Sequence, residues 1–415
     1  MSRLLDVVAP PRLGRGFRWL MASAWTSNVG DGIALAAGPL LVASKTDQAF
    51  LVALAALLQW APPLLFGLWA GALTDRLDRR LIIITVDLLR ALVVALLAAA
   101  VAFDVAPIAL VLVAMFLLGT AEVFSDNTAS TLLPMLVHRD DLAIANSRLM
   151  TGVITINQLA APPIGAFLFT AGQFIPFATQ ALLGLLAVLL IARLQLPAHG
   201  RAPDEAKPVW HDIVEGFRWV LHHPAVRTLV LTILIFNVTF GAAWSVLVLY
   251  ATRHLGLGSV GFGLITTVSA AGGLLGSLSY GWLTRRISLG DLMRIGLVIE
   301  TLTHLGLAST SSPYVALPVF FVFGAHAFVW GTTSMTIRQR AVPTELQGRV
   351  GSVNLLGVYG GLVVGAGIGG VLAQRWGVTA PFWFAFVGSA VFVVLIWRQL
   401  SHIAHADDDL AVERG

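Results

Sequence analysis

Four carboxylic acids stand inside long apolar runs of this chain: Asp31, Glu122, Asp126 and Glu300. An ionisable side chain at the centre of a membrane helix costs about 2.5–3.5 kcal/mol on insertion scales. A chain that keeps several such groups has a use for them. A carboxyl held in apolar surroundings is suited to taking up and releasing a proton. Glu122 and Asp126 are four positions apart, share one helical face, and are expected to titrate as a coupled pair. Asp126 has a second reading, as an ion-pair partner of Arg139 or Arg148.

A different chemistry is written in Gly71-Ala72-Leu73-Thr74-Asp75-Arg76-Leu77-Asp78-Arg79-Arg80, a charged stretch between two apolar runs. A partial echo, Gly281-Trp282-Leu283-Thr284-Arg285-Arg286, returns 210 positions later. An aspartate at a helix end can accept bonds from nearby arginines and face the positive end of another helix, at about 0.3–2 kcal/mol per contact. Contacts made in one conformation only would bias which conformation is populated. Gly71, Asp75, Arg76, Arg79 and Arg80 are therefore candidates for a conformational latch. The plainer reading of the arginines is a positively charged loop that fixes orientation.

Other charged or polar pairs read as structural. Asp87 and Arg90, three apart, are expected to neutralise each other. Glu300 and His304, four apart, read as a packed pair, with a proton relay as the lesser alternative, and His326 reads as a satisfied core histidine.

These groups need a scaffold of membrane helices. Of the 415 residues 57% are hydrophobic and 12% charged, against about 25% charged in soluble domains. Mean hydropathy is +0.84. So few charges cannot clothe a water-facing surface of this size, which excludes two ordinary soluble domains. The net charge of +4 comes from short basic clusters between apolar segments and is not a nucleic-acid footprint. There is no cysteine, which excludes disulfides, thiolate nucleophiles and cysteine metal sites.

Twelve segments are long and apolar enough to span: 17–44, 48–74, 81–103, 107–131, 150–171, 174–195, 226–251, 260–285, 292–311, 315–337, 351–374 and 379–400. Arg3, Arg12, Arg15 and Arg18 precede the first, which is expected to be a spanning helix after a cytoplasmic tail rather than a cleaved signal. If both ends are cytoplasmic, only Lys45, Arg253 and Arg375 of the 26 Lys and Arg lie outside, and that orientation is the expected one. One long polar stretch, with Pro197, Gly200, Pro203, Asp204, Glu205, Lys207 and Pro208, divides the segments six and six. It ends in Trp210, Ile213, Val214, Phe217, Val220 and Leu221 at helical spacing, with Asp212, Glu215 and Arg218 between. These residues predict either an amphipathic helix on the membrane face or an extension of the seventh span.

The halves also echo each other in detail. Asn28-Val29 with Gly32 answers Asn237-Val238 with Gly241 at an offset of 209. Parallel repeats place a substrate site between the halves near mid-membrane. The expected domains are an N-terminal six-helix bundle (1–195), a linker (196–225), a C-terminal six-helix bundle (226–400) and a cytoplasmic tail (401–415).

Twelve spans, the six-plus-six split and the Gly71, Asp75, Arg76, Arg79, Arg80 loop resemble the major facilitator superfamily. The chain resembles more narrowly its bacterial efflux branch, which includes macrolide exporters and the enterobactin exporter. Five patches carry this likeness. They are Ser27, Gly30 and Asp31; Asp75-Arg76 with Asp78-Arg79-Arg80, Asp87 and Arg90; Leu133-Pro134, Leu136-Val137, Leu142 and Ala145-Asn146; Glu215-Gly216, Arg218, Pro224 and Arg227; and Arg338-Gln339, Val342-Pro343 and Gly348-Arg349-Val350. The superfamily loop has glycine where this chain has Asp78, and the antiporter pattern of the fifth span survives only as Ala161-Pro162-Pro163-Ile164-Gly165-Ala166.

The resemblance implies an all-α polytopic membrane protein with twelve transmembrane helices in two pseudo-symmetric bundles. It implies a latch role for Asp75 and Arg76. It also implies a cavity lined by the first, fourth, seventh and tenth spans. Asn28, Asp31, Glu122, Asp126, Asn127, Asn237, Thr239, Trp244, His326, Trp330, Thr332 and Thr333 lie on those spans. An apolar pocket with a few polar groups suits amphiphilic molecules, and Trp244 and Trp330 are candidates to stack on a ring or cation, with ordinary packing as the alternative. The expected function is proton-exchanging export of amphiphilic compounds, drugs or siderophore-like products, by a monomer in a bacterial inner membrane with both ends cytoplasmic. The rivals are a lysophospholipid flippase of the same fold and a receptor or scaffold that moves nothing. No metal constellation, phosphate loop or nucleophile elbow is present, so no metal, cofactor, nucleic acid or enzymatic reaction is expected. The expected partners are the substrate, protons and lipids.

Overall fold

The computed structural model describes residues 10–194, 209–343, 346–397 and 399. The prolines and charges predicted for 197–208, and the tail from 401, lie outside the described residues. So do the side chains of Gly71, Asp75, Arg76, Trp210, Asp212 and Ile213.

Among the described residues there is helix and no strand. The long helices are α1 (Gly14–Lys45), α2 (Ala49–Arg76), α3 (Arg79–Ala102) and α4 (Ile108–Leu136). The next span is composite: α5 (Leu142–Gly152), a π-helical stretch Val153–Ala160, and α6 (Ala161–Ala171). Then come α7 (Ile175–Ile191), α8 (Val209–His222), α9 (Pro224–Trp244), α10 (Gly258–Leu283), α11 (Leu289–Ser309), α12 (Pro313–Ala341), α13 (Gln347–Trp376) and α14 (Ala380–Ile396). Over its described residues, every predicted segment is mainly helical. Nine stretches among the described residues are long and apolar enough to span a membrane. Helices α7 and α14 are apolar but only 17 residues long, and α1, at 32 residues, is held back by its polar content.

The charged stretch after α2 ends one helix and starts the next. The Asp78 carboxylate accepts from the N–H groups of Arg80 and Leu81, an N-cap that satisfies two of the four free donors of α3. Asp78, the departure from the family loop, therefore has a local job. Ser288 caps α11 in the same way, accepting from the Asp291 N–H. In the composite span, Pro162 and Pro163 supply no N–H, so carbonyls about one turn earlier lose their helical donors. The Leu159 carbonyl accepts instead from the Thr267 hydroxyl at 2.8 Å.

The described chain falls into two compact units. One holds residues within 1–46, 65–204 and 259–267; the other holds residues within 47–64, 205–258 and 268–415. Helix α2 is thus shared, its first half packing with the second unit and its second half with the first. The first unit has an apolar core around Phe17, Leu20, Ile83, Leu132 and Ile191. The second has one around Leu229, Phe236, Met293, Leu297 and Ile337. Large apolar side chains on outer faces, such as Leu96, Leu182, Leu278 and Leu395, are exposed, as lipid-facing residues must be.

Each unit contains the same close helix approach. In the first, a Cβ on Gly32 of α1 would sit 2.5 Å from the Asn157 carbonyl, and one on Gly165 of α6 would strike the Ile33 carbonyl. In the second, a Cβ on Gly241 of α9 would sit 2.6 Å from the Leu362 carbonyl, and one on Gly369 of α13 would strike the Ala242 carbonyl. Gly32 and Gly241 are the pair at offset 209. Without hydrophobic drive between helices in lipid, small residues that let backbones touch are what hold such pairs together.

Candidate functional site

The first unit gathers its buried polar groups where α1, α3 and α7 meet. Asp31 of α1 and Arg90 of α3 form an ion pair, Arg90 Nη2 to Asp31 Oδ1 at 2.5 Å, with the two side chains only 15% and 24% exposed. Ser27, one turn before Asp31, donates to its other carboxylate oxygen at 3.1 Å. Gln180 of α7 donates from Nε2 to Asp31 Oδ1 at 3.4 Å. The geometry depends on small residues. A Cβ on Gly30 would lie 3.3 Å from Gln180 Cγ, and one on Gly184 would lie 3.5 Å from the Ala91 Cβ. Glycine and alanine at these positions let three helices close around the pair.

A small cavity opens beside it, bounded by Ser27, Asp31, Asp87, Arg90, Gln180 and Gly184. Its volume is about 20 Å³. That is room for a water and not for an organic molecule. The Gln180 Oε1 atom is buried without a hydrogen-bond partner. The cavity is therefore suited to protons and water.

The other acids of this unit are organised around the same guanidinium. Arg90 interacts electrostatically with Asp31, Glu122, Asp87 and Asp126. The expected Asp87–Arg90 neutralisation is one part of a wider set. The close ion pair of Arg90 is with Asp31, while Asp87 lies in the field of the same guanidinium and accepts from the Ser125 hydroxyl at 2.9 Å. Glu122 and Asp126 of α4 are both exposed. Asp126 lies in the field of Arg90, and Trp25 Nε1 donates to the backbone carbonyl of Arg148 at 3.2 Å. Sequence reasoning missed Gln180 and Ser125. The available signal for Gln180 was a lone amide inside an apolar span.

The described loop arginines are engaged within the first unit. Arg79 Nη1 lies 3.1 Å from Met135 Sδ, and Arg80 donates to the Ala192 carbonyl. Both hold α3 against neighbouring helix ends.

The second unit carries the remaining candidates. Trp244 stacks on Phe240 at 4.4 Å between ring centroids and lies 4.6 Å from Phe323, and all three are half-buried, a partly open aromatic face. Trp330 differs: its Nε1 is buried without a partner and the ring packs against the core beside Gly296. Asn127 and Asn237 turn their amides onto their own helices, donating to Val123 and Ile233 carbonyls at 2.8 and 2.7 Å. Asn28 is half-buried on α1. The expected Glu300–His304 pair is a three-membered cluster. Glu300 Oε2 is 3.5 Å from His326 Nε2, and Glu300 Oε1 is 4.0 Å from His304 Nε2. His326 is thus tied to an acid, whereas neither ring nitrogen of His304 has a hydrogen-bond partner.

Over residues 8–413 the chain matches the family described as transmembrane secretion effector. The chain belongs to that family, a branch of the major facilitator transporters. It is 30% identical over 383 residues to the multidrug efflux pump Tap of Mycolicibacterium fortuitum, covering 88% of this chain and 90% of that one. It is 22% identical over 366 residues to macrolide efflux protein A of Streptococcus pyogenes, covering 85% and 87%. Among solved structures, the nucleoside transporter NupG superposes with a TM-score of 0.75 at 12% identity, covering 93% of this chain and 100% of that chain. A bacterial homologue of the iron transporter ferroportin, in an inward-facing state, does so at 0.73 and 16% identity, covering 93% and 99%. These structural likenesses speak for the shared fold. This member of the transmembrane secretion effector family is a multi-pass membrane protein of the transporter fold.

Proposed function

We propose that this protein is a secondary active exporter of amphiphilic small molecules that exchanges them for protons. The Asp31–Arg90 pair carries the reading. It joins three apolar helices, lies beside a water-sized cavity, and Arg90 acts on four acids. Full ionisation of that set would leave surplus negative charge in a membrane interior, where uncompensated charge is costly. Bound protons remove the surplus, and their release resets it. Asp31, Glu122 and Asp126 are the proposed coupling residues. The Phe240, Trp244 and Phe323 face suits a planar or cationic ring. Asn28 and Asn127 of the first unit and Asn237 of the second are further proposed binding residues. The efflux activities named for Tap and macrolide efflux protein A support export of drugs.

In this reading two six-helix halves, 1–195 and 226–400, alternate access to the site, with a linker at 196–225. The protein sits as a monomer in a bacterial inner membrane with both ends in the cytoplasm. Gly71, Asp75, Arg76, Arg79 and Arg80 bias the conformational change.

Ethidium transport into everted vesicles, with and without an imposed proton gradient, tests this. Wild type should accumulate ethidium only with the gradient, and an Asp31→Asn, Glu122→Gln double variant should lose that dependence. Gradient-driven accumulation that survives in the double variant would remove these acids from coupling.

A further inference from the structure

Glu300 lies on α11 with its carboxyl buried between His304 of the same helix and His326 of α12. The surroundings are sealed: His304 is 0% exposed and Glu300 8%. Gly296 makes the arrangement possible. A Cβ there would lie 3.0 Å from ring atoms of His326 and 2.7 Å from Trp330. Glycine lets the imidazole lie against the α11 backbone, one turn from the carboxyl.

Helix α14, which packs on α11, carries no titratable side chain within Ala380–Ile396. Helix α12 supplies His326, and its Arg338 and Arg340 lie about three and about four turns further along. On α11 itself Asp291 and Arg294 pair with each other before the cluster. Beyond it, Tyr250 donates its hydroxyl to the Leu307 carbonyl, and His254 meets the Thr310 carbonyl. No Lys or Arg among the described residues forms an ion pair with Glu300, in contrast to Asp31 with its Arg90.

We propose that Glu300, His304 and His326 form a second proton-binding site of the protein, in the unit that carries the aromatic face. With the carboxyl ionised and both imidazoles neutral, the cluster holds one uncompensated negative charge away from water. One added proton makes it neutral, residing on Glu300 Oε2 or on His326 Nε2 and shared across that contact. The ring that would receive substrate touches the site: Trp244 meets His304 edge to face at 5.9 Å, and Phe323 meets His326 at 6.1 Å. Occupancy of the aromatic face and of the proton site are thereby linked through ring packing. The link to export rests on the proposed function; the binding of the proton does not.

The test is infrared difference spectroscopy of the full-length protein in lipid nanodiscs, titrated from about pH 4 to about pH 10, a range that brackets ordinary carboxyl and imidazole titration. Wild type should show a protonated-carboxyl band that Glu300→Gln deletes and that His326→Gln shifts in frequency and midpoint. Glu300→Asp, which keeps the acid, should move the band without deleting it, and stands in should Glu300→Gln fail to fold. Spectra that are unchanged by all three substitutions would overturn the proposal. A Glu300 band in a protein that moves no ethidium leaves this site standing and overturns the export reading. Proton-driven ethidium transport without such a band does the reverse.

Discussion

Arg349 Nη1 lies 2.6 Å from Glu215 Oε1, joining α8 to the start of α13 across 134 positions. The contact unites Glu215-Gly216 and Gly348-Arg349-Val350, two of the five sequence patches that carry the family likeness. Helix α8 is therefore docked on α13 and is more than a ribbon on the membrane face. A part-exposed ion pair contributes only about 0.2–1 kcal/mol. The backbone approach beside it matters more, because a Cβ on Gly216 would sit 2.5 Å from the Arg349 carbonyl. Overpacking of that kind costs about 1–3 kcal/mol. Gly216→Ala should accordingly lower the unfolding temperature of the purified protein more than Arg349→Ala does. The opposite ranking would assign the docking to charge.

The Asp31–Arg90 pair makes a sharper prediction. Removing one partner of a buried pair costs about 3–5 kcal/mol, because the other charge is left uncompensated, whereas replacing both with neutral groups is often mild. Arg90→Ala strands four acids and should be the most damaging single change in the first unit. The double variant Asp31→Asn, Arg90→Gln should be more stable than Arg90→Ala alone. Thermal unfolding of wild type, Asp31→Asn, Arg90→Gln and the double variant in a double-variant cycle measures the coupling. Additive effects would mean that the two side chains do not depend on each other.

Much of the fold was legible because lipid imposes a simple rule: a span must satisfy its own backbone, so length and apolarity locate helices. The composite span was read as one helix, and its π-helical stretch Val153–Ala160 was not foreseen, because apolar content is the same in either winding. The candidate acids were legible as misfits in apolar sequence. Their partners were not. Arg90 stands three positions from Asp87, yet its close ion pair is with Asp31, 59 positions away. Gln180 and the contact of His326 with Glu300 were hidden for the same reason: which helix faces which is set by where Gly30, Gly184 and Gly296 remove bulk, and no local pattern records that.

Gly296 gives a direct check on the second cluster. Its neighbours are rings, which cannot swing aside as a flexible chain end does. Gly296→Ala should destabilise the protein by about 1–3 kcal/mol and shift the Glu300 carboxyl band, since His326 must move from the α11 backbone. Gly331→Ala, where nothing lies within 4 Å of an added Cβ, is the matched control on the next helix and should change neither. Equal effects of the two would mean that the glycine makes no room for the imidazole.

The repeated glycine contacts predict that the two units respond alike to the same insult. Gly32 and Gly241 occupy corresponding places, each against a carbonyl of its unit's partner segment at 2.5 and 2.6 Å. Backbone atoms cannot yield as side chains do, so the added methyl must push helices apart. Gly32→Ala and Gly241→Ala should each cost about 1–3 kcal/mol. The sites share no partner, so the double variant should show the sum of the two, within about 0.3–0.5 kcal/mol. Gly38→Ala on α1, where an added Cβ would meet only the Met115 sulfur at 3.7 Å, should be nearly silent. Thermal unfolding in the same lipid nanodiscs compares the four. A large loss for Gly32→Ala with none for Gly241→Ala would mean that the second unit has given up the tight seam that its sequence still repeats.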